Sequence, residues 1–255
     1  MDVTVVGCAG SFAGPDSPAS CYLVQTEHEG RTWSMVLDLG SGALGALQRH
    51  LPPYELDAVL LSHLHVDHCI DMCGLYVMMR YVPGGPGRGP VPTWGPPGTG
   101  AHLARAYGNA DGEDLLGAFA FSDLRDRDTF TVGPFEVTPV RVNHPVETFG
   151  FRVRAGDRVL AYTGDTDACP QLTPLMTGAD LVLADCAFVD GRDAVTDVHL
   201  SGSRAARAAV EAGGVSRLVL THLPAWNDPE VCRSQAADVW PGEVELARAG
   251  VTYSL

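Results

Sequence analysis

The first quarter of the chain alternates short apolar runs with glycine-bearing turns. "VTVVG" (3–7), "SCYLVQT" (20–26) and "WSMVLDLG" (33–40) have the length and residue types of strands, the last running through Asp38. "GALGALQRHL" (42–51) predicts a short helix, and "DAVLLS" (57–62) is a continuous apolar run of the buried-strand kind. "CIDMCGLYVMMRYV" (69–82) returns to helical spacing of its large apolar residues. Residues 83–100, "PGGPGRGPVPTWGPPGTG", form the richest Gly/Pro stretch. The strand-like "VPTWG" inside it favours turns around a strand over an interdomain linker.

From 101 to 128 the pattern predicts helices and a polar loop bearing Arg125 and Arg127. Strand signals resume in "FTVGPFEVTPVRV" (130–142), "FGFRVRAG" (149–156) and "RVLAYTGDT" (158–166). Three β-then-α units close the chain, "ADLVLADC" (179–186), "SRLVLTHL" (216–223) and a short terminal strand, with an amphipathic helix over 202–214. Strand-rich blocks in two halves, punctuated by helices, predict two packed sheets with helices outside, in one domain over 1–255.

Composition adds bounds. The 255 residues, 45% hydrophobic and 19% charged, suffice for one large α/β core. No apolar run approaches the roughly 20 residues of a bilayer span, so no membrane partner is expected. "MDVTVVGCAG" reads directly into a strand and not as a secretory leader. Seven cysteines without paired spacing fit a reducing cytoplasm better than a disulfide framework. Charge narrows the partners. Thirty-one acidic against 17 basic side chains give −14, which repels an extended polyanion. A small anionic substrate held by bound cations fits better than a nucleic-acid groove.

The candidate chemistry begins in "LSHLHVDHCID" (61–71), where His63, His65, Asp67 and His68 fall within six positions. Chance would place His-x-His-x-Asp-His in on the order of one such chain in a thousand. His63 and His65, two apart at a strand end, point the same way and can chelate one metal. Asp67 and His68, offset into the next turn, would face a second. "NHPVETFGF" with His144, "YTGDTD" with Asp165 and "LTHLP" with His222 add metal-capable residues after β runs, where open sheets place their sites. His28 and His50 lie in polar contexts and read as solvated, and His102 reads as structural.

With these residues in place, the sequence resembles the metallo-β-lactamase fold superfamily, whose signature is this His-x-His-x-Asp-His turn. The resemblance implies an α/β fold, an αββα sandwich of two mixed sheets with outer helices, and a dinuclear site, usually zinc, with manganese or iron as other occupants. One metal would take His63, His65 and His144; the other would take Asp67, His68 and His222; Asp165 would bridge them. "DLVLADCAF…VHLSGSRAARAA" looks like the region of transfer-RNA 3′-processing enzymes and related phosphodiesterases in which an acidic residue holds a histidine near the substrate phosphate. Asp185 and His199 occupy those positions, Asp185 being shorter than the usual glutamate. The alternative for His199 is a capping or core histidine at a helix start.

A resemblance over nearly the whole chain is to actinobacterial cyclic-nucleotide phosphodiesterases of this fold, carried by "VVGCAGSFAGPDSPASCYLV", "GALGALQRH", "YTGDTDAC" and "VHLSG…LTHLPAW". It implies hydrolysis of 3′,5′-cyclic AMP, with cyclic GMP or 2′,3′-cyclic nucleotides as further substrates, and it allows a homodimer. Asp67 would orient and deprotonate the attacking water, and His199, oriented by Asp185, would protonate the leaving ribose oxygen or stabilise the phosphate oxygens. Asp38 is expected to hold a ligand histidine, or to be a plain strand-end turn; Ser20 and the "GPDSPAS" loop are expected to line the pocket. Three rivals stand: a transfer-RNA 3′ endoribonuclease, an acyl hydrolase of lactones, thioesters or β-lactams, and a metal-binding protein without turnover. Only 20 residues separate His144 from Asp165, too few for the arm that grips transfer RNA in the first of these.

Overall fold

The computed structural model describes residues 1–109, 115 and 117–255. Fourteen strands among these residues form two seven-stranded sheets. In the first, β14 (Thr252–Ser254), β1 (Asp2–Gly7), β2 (Cys21–His28) and β3 (Arg31–Leu37) are antiparallel neighbours. From β3 the sheet continues in parallel through β4 (Ala58–Leu60), β5 (Val91–Gly95) and β6 (Phe119–Asp123). The second sheet runs β7 (Phe130–Val132), β8 (Phe135–Arg141), β9 (Phe149–Ala155) and β10 (Arg158–Tyr162) antiparallel. It then continues in parallel through β11 (Leu181–Asp185), β12 (Leu218–Thr221) and β13 (Val244–Leu246).

Alternation sorts the side chains into layers. Val3, Val5, Tyr22, Val24, Met35 and Leu37 from the first sheet pack with Phe135, Val137, Phe149, Phe151, Leu160 and Tyr162 from the second, forming the core between them. The opposite face of the first sheet packs on α1 (Ala43–Leu47), α3 (Met72–Tyr81) and α4 (Thr99–Tyr107). The opposite face of the second packs on α5 (Leu172–Met176), α6 (Gly202–Ala212) and α7 (Pro229–Ala237). This is the αββα sandwich.

The sequence pattern misplaces three details. The 101–128 stretch holds the edge strand β6 as well as α4, because "FAFSD" buries only Phe119 fully and gives a weak period-two signal. Part of that stretch, 110–114 and 116, lies outside the described residues. "FTVGPFEVTPVRV" is two strands folded back at Gly133, whose φ of 52° reverses the chain. The C-terminus contributes two strands, one to each sheet, so the chain end returns to close the edge beside β1. Each sheet's parallel half releases its chain at one end of the sandwich, and the candidate residues emerge there.

Candidate metal centre

His63 and His65 leave the end of β4, and Asp67 and His68 sit in the one-turn helix α2 (Val66–Cys69). His144 follows β8, Asp165 follows β10, and His222 follows β12 with a left-handed φ of 58°. These seven residues, placed by separate chain segments, converge on one spot. Nδ1 of His65 is 2.9 Å from Nε2 of His63 and 3.4 Å from Nε2 of His144. Nε2 of His68 lies 3.2 Å from Asp165 Oδ1 and 3.4 Å from Asp67 Oδ2, and Nε2 of His222 lies 3.3 Å from Asp165 Oδ2. Ligand atoms of His63, His65, His144 and Asp165 all fall within 4.8 Å of one another, as do those of Asp67, His68, Asp165 and His222. Asp165 belongs to both groups.

The donors fit cations. His68 Nε2, Asp165 Oδ1 and His222 Nε2 are buried without an aligned hydrogen bond, although carboxylate and imidazole approach to ion-pair distance. A buried unsatisfied polar atom costs about 1–3 kcal/mol, and three aimed at one point mark a place for positive charge. Burial, reinforced by neighbouring histidines, holds His63, His144 and His222 below the ordinary imidazole range, in the neutral form that binds metal. Burial also lowers His68, but Asp165 and Asp38 outweigh it and raise the ring well above that range; a cation at Nε2 would displace the proton. The two His/Asp groups make a site for two divalent ions. Imidazole and carboxylate without thiolate suit zinc, manganese or iron.

Four of the five candidate ligand rings, those of His63, His68, His144 and His222, are turned by a second contact. Ser62 Oγ donates to Asp38 at 2.8 Å and so accepts from His63 Nδ1 at 3.0 Å, leaving Nε2 free to face the site. Asp38 takes His68 Nδ1 at 2.7 Å, Ser20 Oγ meets His222 Nδ1 at 3.1 Å, and His144 Nδ1 donates to the Val198 carbonyl at 2.8 Å. Asp38 also accepts from the Ser62 amide and from the Tyr162 hydroxyl, so it joins both sheets beneath the site. Asp38 therefore holds His68, a candidate ligand, as expected. Ser62, Tyr162 and the Val198 carbonyl were not legible as site components. Neither were Gly10 and Gly40, whose missing Cβ atoms would stand 2.2 Å from the His222 carbonyl and 1.8 Å from the Asp67 carbonyl.

Ser20 corrects an expectation. It is fully buried and turns His222 instead of lining a pocket. Residues 14–18 line, with α1, a cavity of about 690 Å³ to which none of the metal-site residues contributes.

Asp185, at the end of β11, and His199, just before α6, complete the cluster. His199 Nδ1 sits 2.9 Å from Asp185 Oδ2, and a ligand atom of each falls within 4.8 Å of those of Asp165 and His222. Burial alone would lower the His199 pKa, but the charge and hydrogen bond of Asp185 push it up to about 9. Burial likewise opposes ionisation of Asp67, yet His68 and His222 bring its carboxyl down to about 2. His28 and His50 are exposed and His102 lies within α4, none near the cluster.

A family model described as a β-lactamase superfamily domain matches residues 35–223. The chain belongs to the metallo-β-lactamase-fold superfamily. Within it, the chain is 40% identical over 256 residues to an uncharacterized protein of Mycobacterium tuberculosis, covering 99% of this chain and 92% of that one. It is 30% identical to the probable metallo-hydrolase YhfI of Bacillus subtilis over 99% of both chains, and the YhfI crystal structure superposes with a TM-score of 0.84. It is 27% identical to ribonuclease Z of Mycobacterium bovis, covering 96% of this chain and 95% of that one. The superfamily fold and the paired His/Asp groups make the chain a metal-dependent hydrolase. Among the described residues no helix is long and apolar enough to cross a membrane.

Proposed function

We propose that the chain is a phosphodiesterase that opens cyclic nucleotides, with 3′,5′-cyclic AMP as the reference substrate. The observation that carries this reading is the Asp185–His199 pair beside the metal groups. An imidazole whose protonated form Asp185 favours is a proton donor for a departing alkoxide and a positive charge for phosphate oxygens. The relationship to ribonuclease Z, a protein named for cutting RNA, supports chemistry at phosphorus.

In this reading His63, His65 and His144 would hold one cation and Asp67, His68 and His222 the other, with Asp165 in reach of both. Two such ions, when bound, neutralise phosphate charge and make a water acidic enough to attack near neutral pH. Asp67 would orient that water through its carboxylate and take up its proton. The Val198 carbonyl, Ser62, Ser20 and Asp38 hold the imidazoles so that little reorganisation accompanies binding. His199 gives its Nε2 proton to the leaving ribose oxygen while Asp185 balances the charge at Nδ1.

Small size in the substrate follows from two features. The residues between His144 and Asp165 form β9 and β10, a plain hairpin with no projecting arm. The chain's charge of −14 opposes a long polyanion.

The test uses metal-loaded protein with 3′,5′-cyclic AMP, 2′,3′-cyclic AMP, a precursor transfer RNA and a lactone, and His65→Ala alongside. Cleavage of cyclic nucleotides that the variant loses is the expected result. Activity on the transfer RNA or lactone alone would overturn the reading in favour of those classes. Two bound metals with no turnover on any of the four would point to a binding protein.

A further inference from the structure

A cyclic nucleotide constrains its own pose. The leaving oxygen and the base belong to one ribose, so a substrate whose leaving oxygen meets His199 must carry its base to the same side of the metal centre. Two loops meet beside His222, whose ring stacks on that of His199 at 5.3 Å. Gly10 packs directly on His222, and its amide bonds to the Leu223 carbonyl at 3.1 Å while Ala9 and Leu223 form a parallel bridge. Two residues beyond Gly10 is Phe12; four residues beyond His222 is Trp226. Their rings meet at 4.9 Å with planes tilted by 49°.

Both rings face solvent, Phe12 at 41% and Trp226 at 63% exposure, on a backbone that is tied down. The buried Asn227 fixes the turn beneath Trp226. Its amide bonds to the Pro224 carbonyl at 2.8 Å, its Nδ2 donates to the Ala187 carbonyl at 2.8 Å, and its Oδ1 accepts from Arg192. Ala187 directly precedes Phe188, whose ring stands edge-on to His199 at 5.1 Å. The turn carrying Trp226 is thus bonded to the segment that flanks the proton donor. Rigid, solvent-facing aromatic surface is a recognition feature: it offers stacking area with few torsions to freeze.

We propose that Phe12 and Trp226 form the platform on which the base of the nucleotide stacks, setting KM and base preference while the metal centre performs the chemistry. This rests on the cyclic-nucleotide reading. A second protein copy is a poorer occupant. Two rings offer a fraction of the about 800 Å² that each side of a stable interface buries. Exposed Asp228 and Glu230 beside Trp226 would also meet like charges from another copy of an acidic chain. A neutral base meets no such repulsion, and a purine covers more of the platform than a pyrimidine.

The test compares metal-loaded wild type, Trp226→Ala and Trp226→Phe on 3′,5′-cyclic AMP, 3′,5′-cyclic CMP and base-free ribose 3′,5′-cyclic phosphate. Trp226→Ala should raise KM for cyclic AMP about tenfold with kcat unchanged. It should also narrow the preference for adenine over cytosine and leave the base-free substrate unaffected; Trp226→Phe should restore most of the difference. An equal change on the base-free substrate, no change on cyclic AMP, or a halved solution mass in Trp226→Ala would overturn the platform alone. Wild type that cleaves none of the three would overturn the parent reading, and the platform with it.

Discussion

Oδ2 of Asp38 lies 2.7 Å from Nδ1 of His68, and neither side chain has any exposed surface. Asp38 also has a left-handed φ of 62°, a conformation asparagine tolerates as well as aspartate does. Asp38→Asn should therefore keep the turn while removing the charge that orients His68 and raises its basicity. Metal affinity should fall about 10- to 100-fold, the usual cost of losing such an outer partner. Competition with a chromophoric chelator reads this directly, and an unchanged affinity would reduce Asp38 to a turn residue.

Removing the metals should destabilise the whole sandwich. The seven candidate ligand residues come from segments after β4, β8, β10 and β12, so bound ions would tie both sheets together at one end. Ions present at about a hundred times their Kd add roughly 2.7 kcal/mol by mass action. A chelator should lower Tm by several degrees, re-addition of zinc should restore it, and His65→Ala should abolish much of the shift. Equal Tm values with and without metal would mean these groups do not bind it.

The cluster was legible because metal chemistry leaves its mark in one residue type at short spacing: His63, His65, Asp67 and His68 announce themselves locally, and His144, Asp165 and His222, which converge on them, follow strands. Of the supporting shell only Asp38 was. Ser62, Ser20 and Tyr162 are ordinary residues whose role arises only when β2, β4 and β10 come together, and the Val198 carbonyl has no side-chain signature at all. β6 stayed hidden for a related reason, since an edge strand with one fully buried side chain depends on its neighbour β5 for pairing. Tertiary contact decided these positions, and local pattern could not.

Glycine substitutions separate contact from flexibility. An added Cβ at Gly40 would stand 1.8 Å from the Asp67 carbonyl, so Gly40→Ala must displace the segment bearing two ligands. The expected cost is about 1–3 kcal/mol or more, with weaker metal binding. Gly45, inside α1, has open space where its Cβ would be. Gly45→Ala should stabilise the protein by about 0.5–1 kcal/mol through helix propensity alone. Urea titrations of both variants check the pair, and a neutral Gly40→Ala would show that the close approach relaxes freely.

The pH dependence should follow the Asp185–His199 pair. Burial works against the His199 cation, but Asp185 overcomes it and lifts the folded pKa to about 9, above the ordinary value of about 6.5. A raised histidine contributes stability that is fully present below about pH 6.5 and disappears as pH rises through about 9. Activity should show an alkaline edge too, at lower pH than about 9 once cations are bound, because His199 donates only while protonated. Bound cations lower the His199 value in wild type and variant alike and leave the difference between them. Asp185→Asn removes the opposing charge, so the alkaline limb of kcat should move to lower pH by about one unit or more. His199→Ala should lose the limb together with about 10²–10⁴ of kcat. A limb that stays in place in Asp185→Asn would assign it to a different group and remove His199 from the role of proton donor.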